Sequence, residues 1–194
     1  MPDQASQTTI DDVLERIEAL YAEKGSEHYG EGVSQIEHAL QSALVAETEG
    51  ASETLIVAAL LHDIGHLLHP DAQSAADRGV SDRHEFIGAG WLAEGGFGAG
   101  VIEPIRLHVD AKRYLCRVES KYRASLSAAS QRSLDAQGGI FDTAAADRFA
   151  ALPYAGDALR LRRWDEAAKV FGKPTPDWDH YRQTISRVLA SGGE

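Results

Sequence analysis

Apolar residues recur along this chain at spacings of three and four, with no sustained alternation at two. "TIDDVLERIEALYAEKG" sets Ile10, Val13, Ile17 and Leu20 on one helical face, opens on Thr9 with acids behind it, and closes at Gly25. "VSQIEHALQSALVAETEG" repeats the pattern and stops at Gly50. A third helix opens with Ser52 as N-cap and runs through "ETLIVAALLHDIGH". Later helices are expected in "DRHEFIGAGWLAEGG", "GVIEPIRLHVDAKRYL", "SAASQRSLDAQGG", "PYAGDALRLRRWDEAAK" and "DWDHYRQTISRVLAS". Pro70 with "DAQSAADRGVSD" forms the longest break, and turns are expected near Gly95–Gly100 and Gly138–Gly139. Gly88, Gly90 and Gly100 weaken the helices they touch. The pattern therefore predicts an all-α fold, a compact helical bundle forming a single domain over residues 1–194, with the first ~10 residues loosely held.

Composition narrows the function. The chain has 194 residues, 43% of them hydrophobic and 25% charged, as expected of a protein with one well-buried core. Its net charge of −11 argues against a nucleic-acid partner, whose binding depends on Lys and Arg neutralising phosphates. A small anion stays compatible where basic residues gather locally. No apolar run approaches the ~20 residues that span a bilayer, so no membrane partner is expected. The opening "MPDQASQTTIDD" lacks the basic and apolar regions of a secretory signal. Cys116 is the only cysteine, so no internal disulfide forms and a cytoplasmic location is expected.

One stretch carries chemistry. "AALLHDIGHLLH" places His62, Asp63, His66 and His69 in an apolar run, where ionisable groups are costly unless something satisfies them. On one continuous helix His62 and His66 would share a face, with Asp63 about 100° away. A single buried histidine is more often a hydrogen-bonded core residue than a ligand. Imidazole beside carboxylate, however, suits a first-row metal with open coordination positions. Further ligand-type residues follow the same order along the chain: His38 in "QIEHAL", His84 in "DRHEF", His108 in "IRLHV" and Asp165 in "RRWDE". A helical bundle can aim such residues at its centre.

The order His38, His62-Asp63, His84, His108, Asp165 resembles the HD-domain superfamily, in the subset that binds two metals. More narrowly, "QIEHAL", "AALLHDIGH", "HVDAKRYL", "LSAAS" with "QGG", and "RRWDE" are similar to the PhnZ/TmpB-type phosphonate oxygenases, over residues 29–170 or so. The resemblance implies a mixed-valent Fe(II)/Fe(III) pair at the centre of the bundle, with O2 as co-substrate. One iron would be held by His38, His62, Asp63 and Asp165, and the second by His84 and His108, with Asp63 bridging.

The resemblance also places substrate contacts at His66, Lys112, Ser130 and Arg162, with Gln137 as a further contact. Lys, Arg and hydroxyl donors suit a phosphonate dianion. Glu31 matches a carboxylate in a loop that covers the vacant iron site. Tyr29 is one residue nearer to it than the family spacing, so that either Tyr29 or His28 would supply the displaceable contact. His69 and His180 are expected on the surface.

The implied reaction oxidises C1 of a 1-hydroxyalkylphosphonate, breaks the carbon–phosphorus bond, and leaves a carboxylic acid and phosphate. A 2-trimethylammonio substrate giving glycine betaine is favoured here, with Tyr29, Tyr114, Tyr122 and Trp164 as cage residues and Asp110 or Glu31 adding charge. The 2-amino analogue giving glycine is the alternative. A metal-dependent phosphohydrolase is the alternative from another class, because the same ligands would support it. A 2-oxoglutarate-dependent hydroxylase is the upstream pathway partner that the reaction implies.

Overall fold

Leu55 to Leu61 are buried without interruption in the computed structural model, and the rest of the chain is wrapped around them. The structure describes residues 9–28, 31–69 and 80–192. The N-terminal stretch expected to be loosely held, Tyr29 and most of the loop from Pro70 lie outside these residues. Among the described residues there is no strand, as the spacing predicted. The helices are α1 (Ile10–Lys24), α2 (Gln35–Thr48), α3 (Glu53–Leu61), α4 (Ile64–Leu68), α5 (His84–Glu94), α6 (Ala99–Val118), α7 (Tyr122–Ser125), α8 (Ala128–Ala136), α9 (Thr143–Ala150), α10 (Ala155–Ala167) and α11 (Trp178–Ala190).

Local chemistry starts these helices where the sequence indicates. Thr9 and Ser34 each form a capping box, with the side chains of Asp12 and Glu37 accepting from the cap backbone. Ser52 caps α3 by accepting from the Leu55 N–H, as expected. Gly50 ends α2 at φ +67°, a conformation open to glycine and strained for other residues. α9 lies in a stretch with no predicted helix, and its cue was Asp142, whose side chain accepts from the Ala145 N–H.

α3 is apolar all round, so it must be buried on every side. Leu14 and Ile17 of α1, Ala39 and Ala43 of α2, Val101 and Ile105 of α6, Leu161 and Trp164 of α10, and Tyr181 and Ile185 of α11 all join its core. Smaller apolar clusters around Phe141 and Phe149, and around Tyr122 and Leu134, fasten α7, α8 and α9 to the far half of α6. That packing brings α8 over the end of α3, where the histidines lie. No helix among the described residues is long and apolar enough to cross a membrane.

One departure from the expected pattern matters most. The helix expected to run through "LLHDIGH" ends at Leu61, and α4 starts afresh at Ile64. Asp63 sits between them at φ −100°, ψ 8°, outside the helical well, and its carbonyl accepts from the His66 N–H at 2.9 Å. Asp63 is therefore not held 100° away from its neighbours, as an unbroken helix would require. Gly65 makes the new direction possible, because a Cβ there would lie 2.0 Å from the His84 carbonyl oxygen. Gly88 completes the contact from α5, where a Cβ would approach the Gly65 nitrogen to 3.0 Å. The glycine that weakens α5 as a helix thus lets it pack backbone to backbone against α4.

Gly65→Ala is expected to lower stability by roughly 2 kcal/mol or more, because a backbone clash has no rotamer through which to escape. Urea unfolding would show this as a lower midpoint at an unchanged m-value. A wild-type midpoint would contradict the close approach.

Candidate metal centre

The break at Asp63 lets six side chains from five helical segments converge. His38 comes from α2, His62 and Asp63 from the end of α3, His84 from the first turn of α5, His108 from the middle of α6, and Asp165 from α10. The four imidazoles are almost wholly shielded from solvent. Each has its Nδ1 committed: His38 to the Ala168 carbonyl at 2.9 Å, His62 to the Ala59 carbonyl at 2.9 Å, and His108 to the Ile105 carbonyl at 2.6 Å. His84 Nδ1 faces Asp82 Oδ1 at 2.8 Å. A carbonyl can only accept, so Nδ1 carries the proton in the first three, and the neutral ring turns an Nε2 lone pair inward.

These lone pairs face one another. The Nε2 atoms of His38 and His62 are 3.2 Å apart, and those of His84 and His108 are 3.1 Å apart. Asp63 stands between the pairs. Its Oδ2 lies 3.5 Å from His38 Nε2 and 3.4 Å from His62 Nε2, while its Oδ1 lies 3.5 Å from His84 Nε2 and 3.7 Å from His108 Nε2. Asp165 joins the first pair, 3.4 Å from His38 and 3.8 Å from His62.

Ligand atoms held about 2.1 Å from one ion sit roughly 3.0 Å apart at right angles and roughly 3.4 Å apart at tetrahedral angles. The observed spacings fall around those values, and the donor set is imidazole and carboxylate, as a first-row transition metal prefers. The residues fit two metal ions sharing Asp63.

Charge makes the arrangement costly without a cation. Burial would raise the Asp63 carboxyl, but His62, His66 and His84 hold it well below the ordinary carboxylate range. Burial pushes the His84 imidazolium down, while the Asp82 hydrogen bond and charge pull it up to about 9. His108 is pushed well down by burial, then by His84 and His62. Mutually buried lone pairs and carboxylates are reconciled by bound cations.

A cavity of about 130 Å³ opens beside the second histidine pair. Its wall includes His66, Lys112, Ser130, Gln137 and Arg162, so the structure brings together all five expected substrate contacts. Lys112 is buried with its Nζ 2.8 Å from Ser133 Oγ, and burial, with Arg162 nearby, pushes its pKa down to about 7. An entering anion would relieve that cost. Gln137 Oε1 is buried without a hydrogen-bond partner.

Arg162 is more constrained than expected, donating to Asp165, Glu166, Ser130 and the Tyr122 hydroxyl. His66 stacks on His84 with ring centres 3.9 Å apart and places Nδ1 2.6 Å from Asp82 Oδ2. Glu31 also lines the cavity, held by Lys169 at 2.9 Å and by the Ser127 hydroxyl at 2.7 Å. Tyr29 lies outside the described residues.

Of the described residues assigned to a cage, Glu31 lines the cavity but the aromatic ones and Asp110 do not. Tyr114 packs on Phe149, Tyr122 accepts from Arg162, Trp164 donates to Glu49, and Asp110 pairs with Arg113. His180 is exposed against Glu47, whereas His69 is half-buried at the end of α4 instead of lying on the surface. Sequence reasoning missed Asp82 and Lys169. Asp82 binds both His66 and His84, and its only cue was a position two residues before a ligand-type histidine. Arg83 between them is left-handed at φ 55°, a strained link at the junction that presents both groups.

Residues 35–138 match the HD domain family. The chain is 44% identical over 179 residues to the hydroxymethylphosphonate dioxygenase of Gimesia maris, covering 90% of this chain and 89% of that one. It is 38% identical over 178 residues to the [1-hydroxy-2-(trimethylamino)ethyl]phosphonate dioxygenase (glycine-betaine-forming) of Leisingera caerulea, covering 91% and 90%. An uncharacterized protein of Acanthamoeba polyphaga mimivirus is 34% identical over 168 residues, covering 86% of this chain and 76% of its own.

Asp82→Asn removes the carboxylate that orients His84, and is expected to weaken metal retention about 10–100-fold. Competition against a chelator, read by metal analysis, measures this. Wild-type retention would show that His84 needs no such support.

Proposed function

The chain belongs to the HD-domain family and, within it, to the phosphonate dioxygenases of the PhnZ/TmpB type, and on that premise we propose that it cleaves the carbon–phosphorus bond of hydroxymethylphosphonate with O2 at a two-iron centre. The observation that carries the reading is a shared carboxylate, Asp63, with one oxygen toward each histidine pair, beside a cavity lined by the buried cations Lys112 and Arg162.

In this reading His38, His62, Asp63 and Asp165 would hold one iron, and His84, His108 and Asp63 would hold the other, with the cavity beside the second set. Iron, when bound, supplies the activation of O2, and a histidine-rich set with few carboxylates suits a pair that persists as Fe(II)/Fe(III).

The chain's own residues then bind, orient and exclude water. Lys112, Arg162 and Ser130 neutralise and grip the phosphonate oxygens. His66, fixed through Nδ1 by Asp82, turns its other ring nitrogen toward the same anion. Gln137 Oε1, which lacks a protein donor, accepts from the substrate hydroxyl. Holding the small molecule at both ends would fix C1 in the cavity beside His84 and His108, which is a positioning contribution. The chemistry balances without another reductant: one hydroxymethylphosphonic acid and one O2 give one formic acid and one phosphoric acid, with C1 losing four electrons and O2 gaining four.

Two observations favour the substrate without a C2 group. The relative at 44% identity is named for hydroxymethylphosphonate, and no aromatic side chain among the described residues lines the cavity. The 2-trimethylammonio compound favoured from sequence relied on Tyr29, Tyr114, Tyr122 and Trp164; Tyr29 lies outside the described residues, and the other three are engaged elsewhere. An upstream C1 hydroxylase of the 2-oxoglutarate-dependent class would supply the substrate, and the lone Cys116 suits a cytoplasmic location.

Iron-loaded protein is expected to release phosphate from hydroxymethylphosphonate in air, with formate in equal amount, and none under nitrogen. The 2-amino and 2-trimethylammonio analogues should react more slowly. Oxygen-independent phosphate release from nucleotides would replace this reading with phosphohydrolysis.

A further inference from the structure

The described lining of the cavity contains four carboxylates: Glu31, Asp63, Asp82 and Asp165. Asp63 and Asp165 belong to the metal-ligand clusters, and Asp82 is taken up by His66 and His84. Glu31 is therefore the carboxylate left to meet a positive group on a substrate. It is already answered. Lys169 Nζ lies 2.9 Å from Glu31 Oε1 and 2.9 Å from Ser130 Oγ, with Ser127 Oγ and Glu166 Oε2 each at 3.4 Å. Lys169 is largely buried, so this pair is shielded from the screening that weakens surface ion pairs. An ammonium group entering beside Glu31 would compete with Lys169 for that oxygen and meet its charge at close range. Such like-charge contact costs binding strongly where water is excluded.

We propose that Lys169 is a specificity-determining residue: it occupies, from within the chain, the seat that a cationic C2 substituent would take at Glu31, and so selects phosphonates without one. The device is both attractive and repulsive. Lys169 neutralises Glu31 for the uncharged substrate and repels the charged analogues. Its position explains why a cavity with a carboxylate in its wall would not favour an aminoalkylphosphonate. The inference rests on the phosphonate oxygenase reading above, which supplies the substrates that it ranks.

The test compares wild type, Lys169→Met and Lys169→Met/Glu31→Gln as iron-loaded full-length proteins. For each, kcat/KM is measured on hydroxymethylphosphonate and on 1-hydroxy-2-aminoethylphosphonate. Calorimetry with methylphosphonate and 2-aminoethylphosphonate gives a readout independent of turnover. In Lys169→Met, the preference for the uncharged compound is expected to fall about tenfold or more in both ratios. The added Glu31→Gln change should restore it. Lys169→Arg, which keeps the cation, should behave as wild type.

Should Lys169→Met fail to fold, Glu31→Gln alone serves. It takes away the lysine's partner on the cavity side, leaving Asp165 at 3.6 Å and Glu166 at 3.4 Å, and should sharpen the exclusion of the amine. Loss of amine binding from a wild type that had bound it well would instead make Glu31 the amine's own partner and overturn the proposal. Unchanged ratios in a folded Lys169→Met would also overturn it while leaving the oxygenase reading intact. A wild type that releases no phosphate from either phosphonate in air would overturn that reading itself.

Discussion

Four imidazole Nε2 atoms turned toward one another, with a carboxylate between them, form the constraint on which this structure depends. Each ring directs its Nδ1 outward, three of them to carbonyls and one to Asp82, so every neutral ring presents a lone pair inward, and any proton placed there meets another buried ring. In a protein interior such an arrangement is unfavourable unless positive charge occupies the centre. In the proposed reading cation binding would be part of the stability of the fold as well as of its chemistry, because the proposed ligands are drawn from α2, α3, α5, α6 and α10.

The apolar frame serves that centre. α3 is buried from Leu55 to its end, where it delivers His62, and the break at Asp63 turns the carboxylate so that each oxygen addresses a different histidine pair. The break is held by the backbone contact of Gly65 and Gly88, which sets α5 and thus His84 against α4. A change of one methyl group at Gly65 would be felt at the metal ligands, because core packing and ligand geometry share the same atoms. The second layer is polar. Asp82 unites a metal-facing histidine with a cavity-facing one, and Arg162 ties Asp165 to Ser130 and Glu166. The proposed metal ligands and substrate contacts are thereby parts of one hydrogen-bonded network.

The helices and the ligand set could be read in the sequence for different reasons. Strong three-and-four periodicity exposed the first three helices, with Thr9 and Ser52 marking the starts of two of them. The proposed ligand residues stood out because His38, His62-Asp63, His84, His108 and Asp165 follow a recognisable order. The orientation of Asp63 was not visible, because periodicity treats "LLHDIGH" as one helix and cannot register a break imposed by packing of Gly65 on His84. Three of the assigned cage residues, Tyr114, Tyr122 and Trp164, lie away from the cavity for the related reason that residue type says nothing of which face a helix turns inward. Lys169 was overlooked because a lysine four residues after an aspartate is ordinarily a solvated helical pair. Only the fold shows it largely buried, reaching Glu31 across 138 positions of sequence.

The central claim is that one carboxylate, Asp63, joins two metal positions. X-ray absorption on anaerobically prepared, iron-loaded protein, together with metal analysis, tests it most directly. The account predicts two irons per chain with iron–iron scattering at roughly 3.5–4 Å. One iron per chain, or two without a metal neighbour at that range, would contradict it.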